Sequence, residues 1–304
     1  MSRDPRFRFG FSPCPNDTFA FWAAVHGQVD SPVVFDAELA DIEALNERAV
    51  SGVDALAVTK LSLPALARCI DRYAVLNSGA ALGFGCGPLV VCRDSALQPQ
   101  TMQPQTMQPQ TMQPQTMQLR DLAGARVAIP GHHTTANLLL ASLLPKPREV
   151  VAMRFDEVMP AVVSGACDAG LVIHESRFTF ADHGLRELAD LGVLWERETN
   201  GPLPLGVICA RRDLSDANVS AIENALRDSV RLARRQPERA RAWVREHAQE
   251  MADDVCDRHI ALYVNDFSED LGDVGRAAID ELLARGRAAG LLPAGGSAFR
   301  EGSA

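Results

Sequence analysis

The chain has 304 residues, 47% of them hydrophobic and 23% charged, with a formal net charge of −9; this is a globular composition with enough apolar material for one large domain or two lobes. The acidic balance, with no lysine-rich run to offset it, argues against a nucleic-acid partner. Seven cysteines without a C-x-x-C pair read as reduced thiols, the MSRDPRFRFG start lacks an apolar targeting segment, and no apolar run nears the roughly 20 residues of a membrane span, so a cytoplasmic protein with no membrane partner is expected.

In chain order, Phe7, Phe9 and Phe11 alternate with Arg6, Arg8 and Gly10, the period of a strand with one buried face. The apolar run from Phe19 to Val25, closed by His26-Gly27, predicts a helix. Between them Ser-Pro-Cys-Pro-Asn-Asp-Thr (12–18) makes a turn that is both rigid and polar, with Asn16, Asp17 and Thr18 opening the helix. Residues 41–62 predict a helix, a Ser51-Gly52 stop, an Asp54-Ala55 entry and a strand over 54–59. Residues 156–176 repeat that plan with Ser164-Gly165 and Asp168-Ala169 ahead of a strand over 169–173. The repeated unit points to two similarly built α/β lobes. Further strands are expected at 88–93, 126–130, 150–155 and 204–212, a helix over TANLLLASLL (135–144), and then helices only, at 214–235, 237–250, about 255–267 and about 270–290. The strands at 88–93 and 204–212 are expected to cross between lobes. Residues 1–93 with 205–304 then form lobe 1, carrying the C-terminal helices, and 94–204 form lobe 2.

Four copies of QPQTM occupy 98–117, closed by Gln118. Proline at every fifth position and the lack of apolar periodicity read as an exposed insertion in lobe 2 with no chemistry of its own. The Gly- and Ser-containing tail after Pro293 is likewise expected to build no core. The arginines of 227–245 are interleaved with acids and read as a solvated helix face.

In open α/β sheets ligands bind beyond the carboxyl ends of the strands. Those ends carry Ser12, Asn16, Asp17 and Thr18; Thr59, Lys60 and Ser62; Gly131, His132, His133, Thr134 and Thr135; and His174, Glu175, Ser176 and Arg177. Hydroxyls, amide donors, two cations and an imidazole make a site for a small anion, a carboxylate by preference. Singly, Ser12, Asp17 and Thr134 also fit as helix caps and Lys60 as a solvated strand end. His132-His133 lacks metal-ligand spacing and acidic companions, so no metal is expected. GFGCGP (83–88) leads into a strand without Lys-Ser/Thr and is no nucleotide loop. Cys86 within it reads as pocket wall ahead of nucleophile. His174, closing the GLVI strand, reads as a general base with activity falling in acid near pH 6–7.

SPCPNDTF (12–19), VTKLS (58–62), GCGPLVV (85–91), PGHHTTANLLL (130–140), GLVIHESRFTF (170–180) and PLPLGVI (202–208) together resemble the 1,4-dihydroxy-6-naphthoate synthase family of the futalosine route to menaquinone. The resemblance runs from about residue 7 to about 265, with the QPQTM repeat as its departure. It implies an α/β, two-lobed type 2 periplasmic-binding-protein-like fold with a cleft between the lobes. It also implies a lyase converting cyclic dehypoxanthine futalosine to 1,4-dihydroxy-6-naphthoate with release of dihydroxyacetone, without metal or organic cofactor. On this resemblance His174 is the base, and Lys60, Leu61, Ser62, Thr134 and Thr135 contact substrate. Asn16, Asp17, Cys86 and Arg177 are added as substrate-binding residues, with the positive end of the helix after SPCPNDT facing the substrate carboxylate. Two alternatives stay open: the sister chorismate dehydratase of the same pathway, and a non-catalytic small-anion binding protein of the same fold.

Overall fold

The computed structural model describes residues 5–94, 116–248 and 252–300. Most of the QPQTM repeat therefore lies outside the described residues. The strands are β1 (Arg6–Phe11), β2 (Val34–Leu39), β3 (Val58–Ser62), β4 (Tyr73–Val75), β5 (Ala81–Gly83), β6 (Leu89–Arg93), β7 (Arg126–Ile129), β8 (Glu149–Ala152), β9 (Ala169–Val172), β10 (Leu185–Asp190) and β11 (Leu203–Arg211). The helices are α1 (Pro15–Val25), α2 (Ile42–Ser51), α3 (Leu63–Arg68), α4 (Thr135–Leu143), α5 (Phe155–Val163), α6 (Ser176–Thr179), α7 (Leu191–Thr199), α8 (Asp216–Arg235), α9 (Pro237–His247), α10 (Asp253–Tyr263), α11 (Asp266–Glu269) and α12 (Gly272–Ala288). Short 3₁₀ turns cover Leu119–Gly124 and Phe180–His183.

Two sheets result. The first runs β2-β1-β3-β11-β4, with β5 also on β11; the second runs β10-β6-β9-β7-β8. Strand β6, expected at the crossing, pairs with β9 and β10 inside the second sheet. The chain therefore passes between sheets through residues 84–88 and returns ahead of Leu203. Gly87 makes that passage possible: a Cβ there would lie 2.2 Å from the Gly192 backbone nitrogen.

Local chemistry explains the elements around the cleft. Phe7, Phe9 and Phe11 are buried as their alternation predicts, and Phe9, Phe11, Phe21 and Phe35 form one aromatic cluster with centroids 4.8–5.5 Å apart. Gly10 faces the other way, where a Cβ would meet Leu56 at 2.4 Å, so α2 and its connection can press on the sheet. Helix α1 begins at Pro15, four residues before the apolar run, because proline at the first helical position is pre-set for the helix and loses no needed donor. The repeated units are present as α2–β3 and α5–β9, and both glycine stops, Gly52 (φ 74°) and Gly165 (φ 82°), are left-handed. Strand β3 starts at Val58 rather than 54: Asp54 sits in a turn at φ 50°, its carboxylate bound by Arg8 and Arg48. This shift places Lys60, Leu61 and Ser62 within the strand.

The arginines of α8 and α9 meet acids of the following helices, among them Arg231 with Glu269 and Arg234 with Asp266. The segment after Pro293 departs from expectation. Ala298 and Phe299 are buried, the Ala298 carbonyl accepts from Val75 N (2.9 Å), and Arg276 covers the Phe299 ring at 3.9 Å. One alanine and one aromatic suffice to seal the edge of the sheet beside β4. Among the described residues, no helix is long and apolar enough to cross a membrane.

Candidate active site

A cleft of about 570 Å³ lies where strand ends of both sheets meet, lined by Asn16, Lys60, Ser62, Cys86, Thr134, Thr135 and His174 with Ile42, Ala81, Pro88, Ala136, Ile173, Leu205, Gly206 and Tyr263. Seven residues singled out in the sequence thus converge. Three do not. Strand alternation puts Lys60 and Ser62 on one face of β3 and Leu61 on the other, where Leu61 is fully buried in the core with Val207. Arg177 turns away to Asp190 (2.6 Å) and to the Gly87 carbonyl, pinning α6 to the crossing segment. Asp17 lies behind the wall as the partner of Lys60.

That pair sets the electrostatics. Lys60 Nζ donates to both Asp17 oxygens at 2.6 Å, with side chains only 5% and 3% exposed. Ser12 donates to Asp17 from its backbone N (3.1 Å) and its hydroxyl (2.6 Å), and Asn16 Nδ2 from 2.8 Å. The SPCPNDT turn therefore exists to seat Asp17. The anion at the positive end of α1 is the chain's own carboxylate, not the substrate's. Gly206 leaves room for the lysine stem, since a Cβ there would come within 3.2 Å of Lys60 Cε.

The hydroxyls of α4's entry are also committed. Thr134 donates to the Gly131 carbonyl (2.9 Å) and caps α4 by accepting from Asn137 N (3.2 Å). Thr135 donates to the Leu205 carbonyl (2.7 Å) of the opposite sheet. His132-His133 acquires a purpose through its backbone: His133 N donates to Glu43 Oε1 (2.8 Å), and Gly131, at φ 137°, lets Glu43 approach. Donors left for a ligand include a third Lys60 hydrogen, the Ser62 hydroxyl, which accepts from Asn46 (3.1 Å), and the first amides of α4.

His174 follows β9 at φ 57°, a left-handed conformation that a non-glycine residue adopts only when its surroundings impose it. The Phe155 ring packs edge-on against it at 5.0 Å. The imidazole is half-buried at the cleft wall. Burial, with the Lys60 charge a smaller cause, pushes it down to about 3, so it is neutral at pH 7 and does not titrate at pH 6–7 as its ordinary value would have it. Cys86 is buried and its thiol is pushed up to about 12 by burial, which leaves it a wall and not a nucleophile.

Sequence reasoning missed two residues. His259, fully buried on α10, places Nε2 2.9 Å from Asn16 Oδ1 and Nδ1 3.9 Å from Glu175 Oε2, so Glu175 faces His259. Tyr263, one turn on, lines the cleft and donates to the Cys86 carbonyl (3.3 Å). Their four-residue spacing in DRHIALY is the helical-face signal that would have found them. Among the described residues, no group of His, Cys, Asp or Glu is arranged to hold a metal.

The architecture is that of the periplasmic binding proteins. The alkanesulfonate-binding protein SsuA of Xanthomonas axonopodis, bound to MOPS, superposes with a TM-score of 0.65 at 16% identity over 97% of this chain and 96% of its own. The crystal structure of an Archaeoglobus fulgidus protein reaches 0.81 at 33% identity, covering 94% and 98%. Here that fold encloses a histidine beside a buried lysine–aspartate pair, and the curated relatives that the chain matches place it among enzymes. A family model described as menaquinone biosynthesis matches residues 7–288. The 1,4-dihydroxy-6-naphthoate synthase of Thermus thermophilus is 46% identical over 93% of this chain and 95% of its own length, and that of Streptomyces coelicolor 44% over 97% of each. The chain belongs to the 1,4-dihydroxy-6-naphthoate synthase family of menaquinone biosynthesis.

Proposed function

We propose that this enzyme is a carbon–carbon lyase that converts cyclic dehypoxanthine futalosine to 1,4-dihydroxy-6-naphthoate and releases dihydroxyacetone. The observation that carries the reading is His174, a neutral imidazole held in a left-handed turn at the cleft wall. It lies in the IHESRFTF segment of a chain whose curated relatives at 44–46% identity are synthases. His174 is the base that starts the bond cleavage. The substrate carboxylate is held by Lys60, Ser62 and the amides of Thr135 and Ala136 at the positive end of α4. A carboxylate docked there offsets the Lys60 charge, the second cause of the depressed imidazole, and favours the imidazolium formed as the proton is taken. Thr134, Thr135 and Asn16 shape the wall, and Asp17 holds Lys60 in place.

The two lobes, each built on one sheet, close around the substrate, exclude water and complete the constellation. The seven cysteines, all buried and none joined in a disulfide, suit a reducing compartment, and we assign the enzyme to the cytoplasm. Incubating the purified protein with cyclic dehypoxanthine futalosine and following products by mass spectrometry tests the reading. Naphthoate and dihydroxyacetone are expected in equal amounts. Dehydration of chorismate would make it the sister dehydratase, and saturable binding without turnover a binding protein.

A further inference from the structure

We propose that His259 is a positioning residue of the reaction: its Nε2–H fixes Asn16 at the cleft wall, and its Nδ1 engages Glu175, tying the segment that carries His174 to the opposite half of the molecule. The proposal rests on the reading of His174 as the base.

The hydrogen positions follow from the acceptors. Asp17, ion-paired with Lys60, only accepts, so Asn16 must turn Nδ2 toward it at 2.8 Å. The Asn16 oxygen is then an acceptor, and the nitrogen 2.9 Å away, His259 Nε2, must carry the hydrogen. The ring stays neutral because it is fully buried beside His174 and Lys60, so Nδ1 is left with its lone pair toward Glu175 Oε2, 3.9 Å away. A ring movement of about 1 Å brings that contact into hydrogen-bond range when the Glu175 carboxyl carries the proton it donates to Nδ1, and such bonds tighten when substrate is bound.

The connectivity gives the network a consequence for chemistry. Lys60, Asp17, Asn16 and His259 belong to the first sheet and its helices; Glu175 follows His174 directly, after the second sheet's β9. The His259 ring lies parallel to His174 at 6.1 Å and against Tyr263 at 4.7 Å, with Phe178 at its edge. His259 therefore reaches the loop that holds the base in its strained φ, and it does so from the other half of the molecule. Loss of that tie displaces the base without removing any group that binds substrate.

Two amide variants separate the ring nitrogens. In His259→Gln the side-chain amide nitrogen takes the place of Nε2; in His259→Asn it takes the place of Nδ1. His259→Asn, which keeps an amide nitrogen toward Glu175, is expected to keep kcat within a few-fold. His259→Gln, which keeps only the Asn16 contact, and His259→Leu are expected to lose about 10²-fold in kcat with KM within a few-fold, as displacement of a catalytic group by about 1 Å predicts. Equal losses in His259→Asn and His259→Leu, or a normal kcat in His259→Leu, would overturn the proposal, as would losses confined to KM. A second readout needs no turnover and no variant that folds: ¹⁵N-resolved imidazole spectra of the wild type should show His259 as the Nε2–H tautomer. An Nδ1–H tautomer refutes the network. Absence of naphthoate formation by a wild type with the expected tautomer would instead refute the proposed function.

Discussion

Replacing Asp17 by asparagine keeps the shape of the side chain and removes the charge that holds Lys60. The carboxylate takes two donations from Lys60 at 2.6 Å and three more from Ser12 and Asn16. An asparagine keeps one accepting oxygen and turns two hydrogens of its own toward those donors. The lysine, 5% exposed, is left as a buried ammonium without its counter-ion. Breaking one side of a buried pair costs about 3–5 kcal/mol, which for a chain of this size lowers the melting temperature by roughly 10 °C. Lys60→Met should cost a similar amount, because Asp17 is then the uncompensated charge. The double variant Asp17→Asn/Lys60→Met leaves no charge to strand, and a buried pair replaced as a unit is neutral within about 1–2 kcal/mol. Urea unfolding of all four proteins closes the cycle, with a coupling on the order of 4 kcal/mol or more expected between the two sites. Turnover should be lost wherever Lys60 is lost, including in the stable double variant. A double variant whose destabilisation equals the sum of the singles would refute the pair as the foundation of this wall.

His174→Ala should lose about 10²–10⁴-fold in kcat while affinity for the naphthoate product, read by titration, changes only a few-fold; near-normal turnover would move the role of base elsewhere, with Lys60 the next candidate. Folding stability should be level above about pH 7 and fall in acid. Both His174 and His259 have lowered values in the folded state, so below the unfolded histidine value of about 6.5 the unfolded chain binds protons that the folded chain refuses, at about 1.4 kcal/mol per pH unit for each ring kept neutral. Chemical denaturation between pH 4 and 8 reads that slope, and His174→Ala should make it shallower; stability that rises in acid would contradict the burial of these rings. The acid limb of kcat/KM, which reports the free enzyme, should lie near pH 3 to the extent that unfolding leaves it visible, and a limb at pH 6–7 would show a base other than a desolvated His174. Gly87→Ala places a Cβ 2.2 Å from the Gly192 nitrogen, backbone against backbone, and should cost about 1–3 kcal/mol in thermal unfolding; a wild-type melt would mean that the crossing segment is free to shift.

What the sequence disclosed and what it withheld separate along one physical line. Punctuation was readable because it is chemistry local to a few residues: Ser-Gly stops that need a left-handed glycine, prolines that seat α1, an alternating phenylalanine strand, a histidine at the end of GLVI. Facing was less readable, because it depends on register. Leu61 sits between two cleft residues, and only the start of β3 at Val58, set by the Asp54 turn, decides that Lys60 and Ser62 look into the cleft while Leu61 looks into the core. Arg177 misled for the same reason: a cation one turn past His174 serves Asp190 once α6 turns it outward. Pairing over long separations was not readable at all. Nothing near Asp17 announces that Lys60, 43 residues on, will neutralise it, and nothing near Asn16 announces His259, 243 residues on. The C-terminal helices show only an amphipathic pattern, which conceals a buried polar residue as readily as it displays an apolar one. Yet those helices return to the first sheet and deliver His259 and Tyr263 beneath the wall opened by SPCPNDT. A site made where two sheets meet must draw its groups from segments that are adjacent only after the chain has crossed and come back. Of the residues that present themselves at strand ends, those facing the right way line the cleft, while those that hold them in place are found only in the fold.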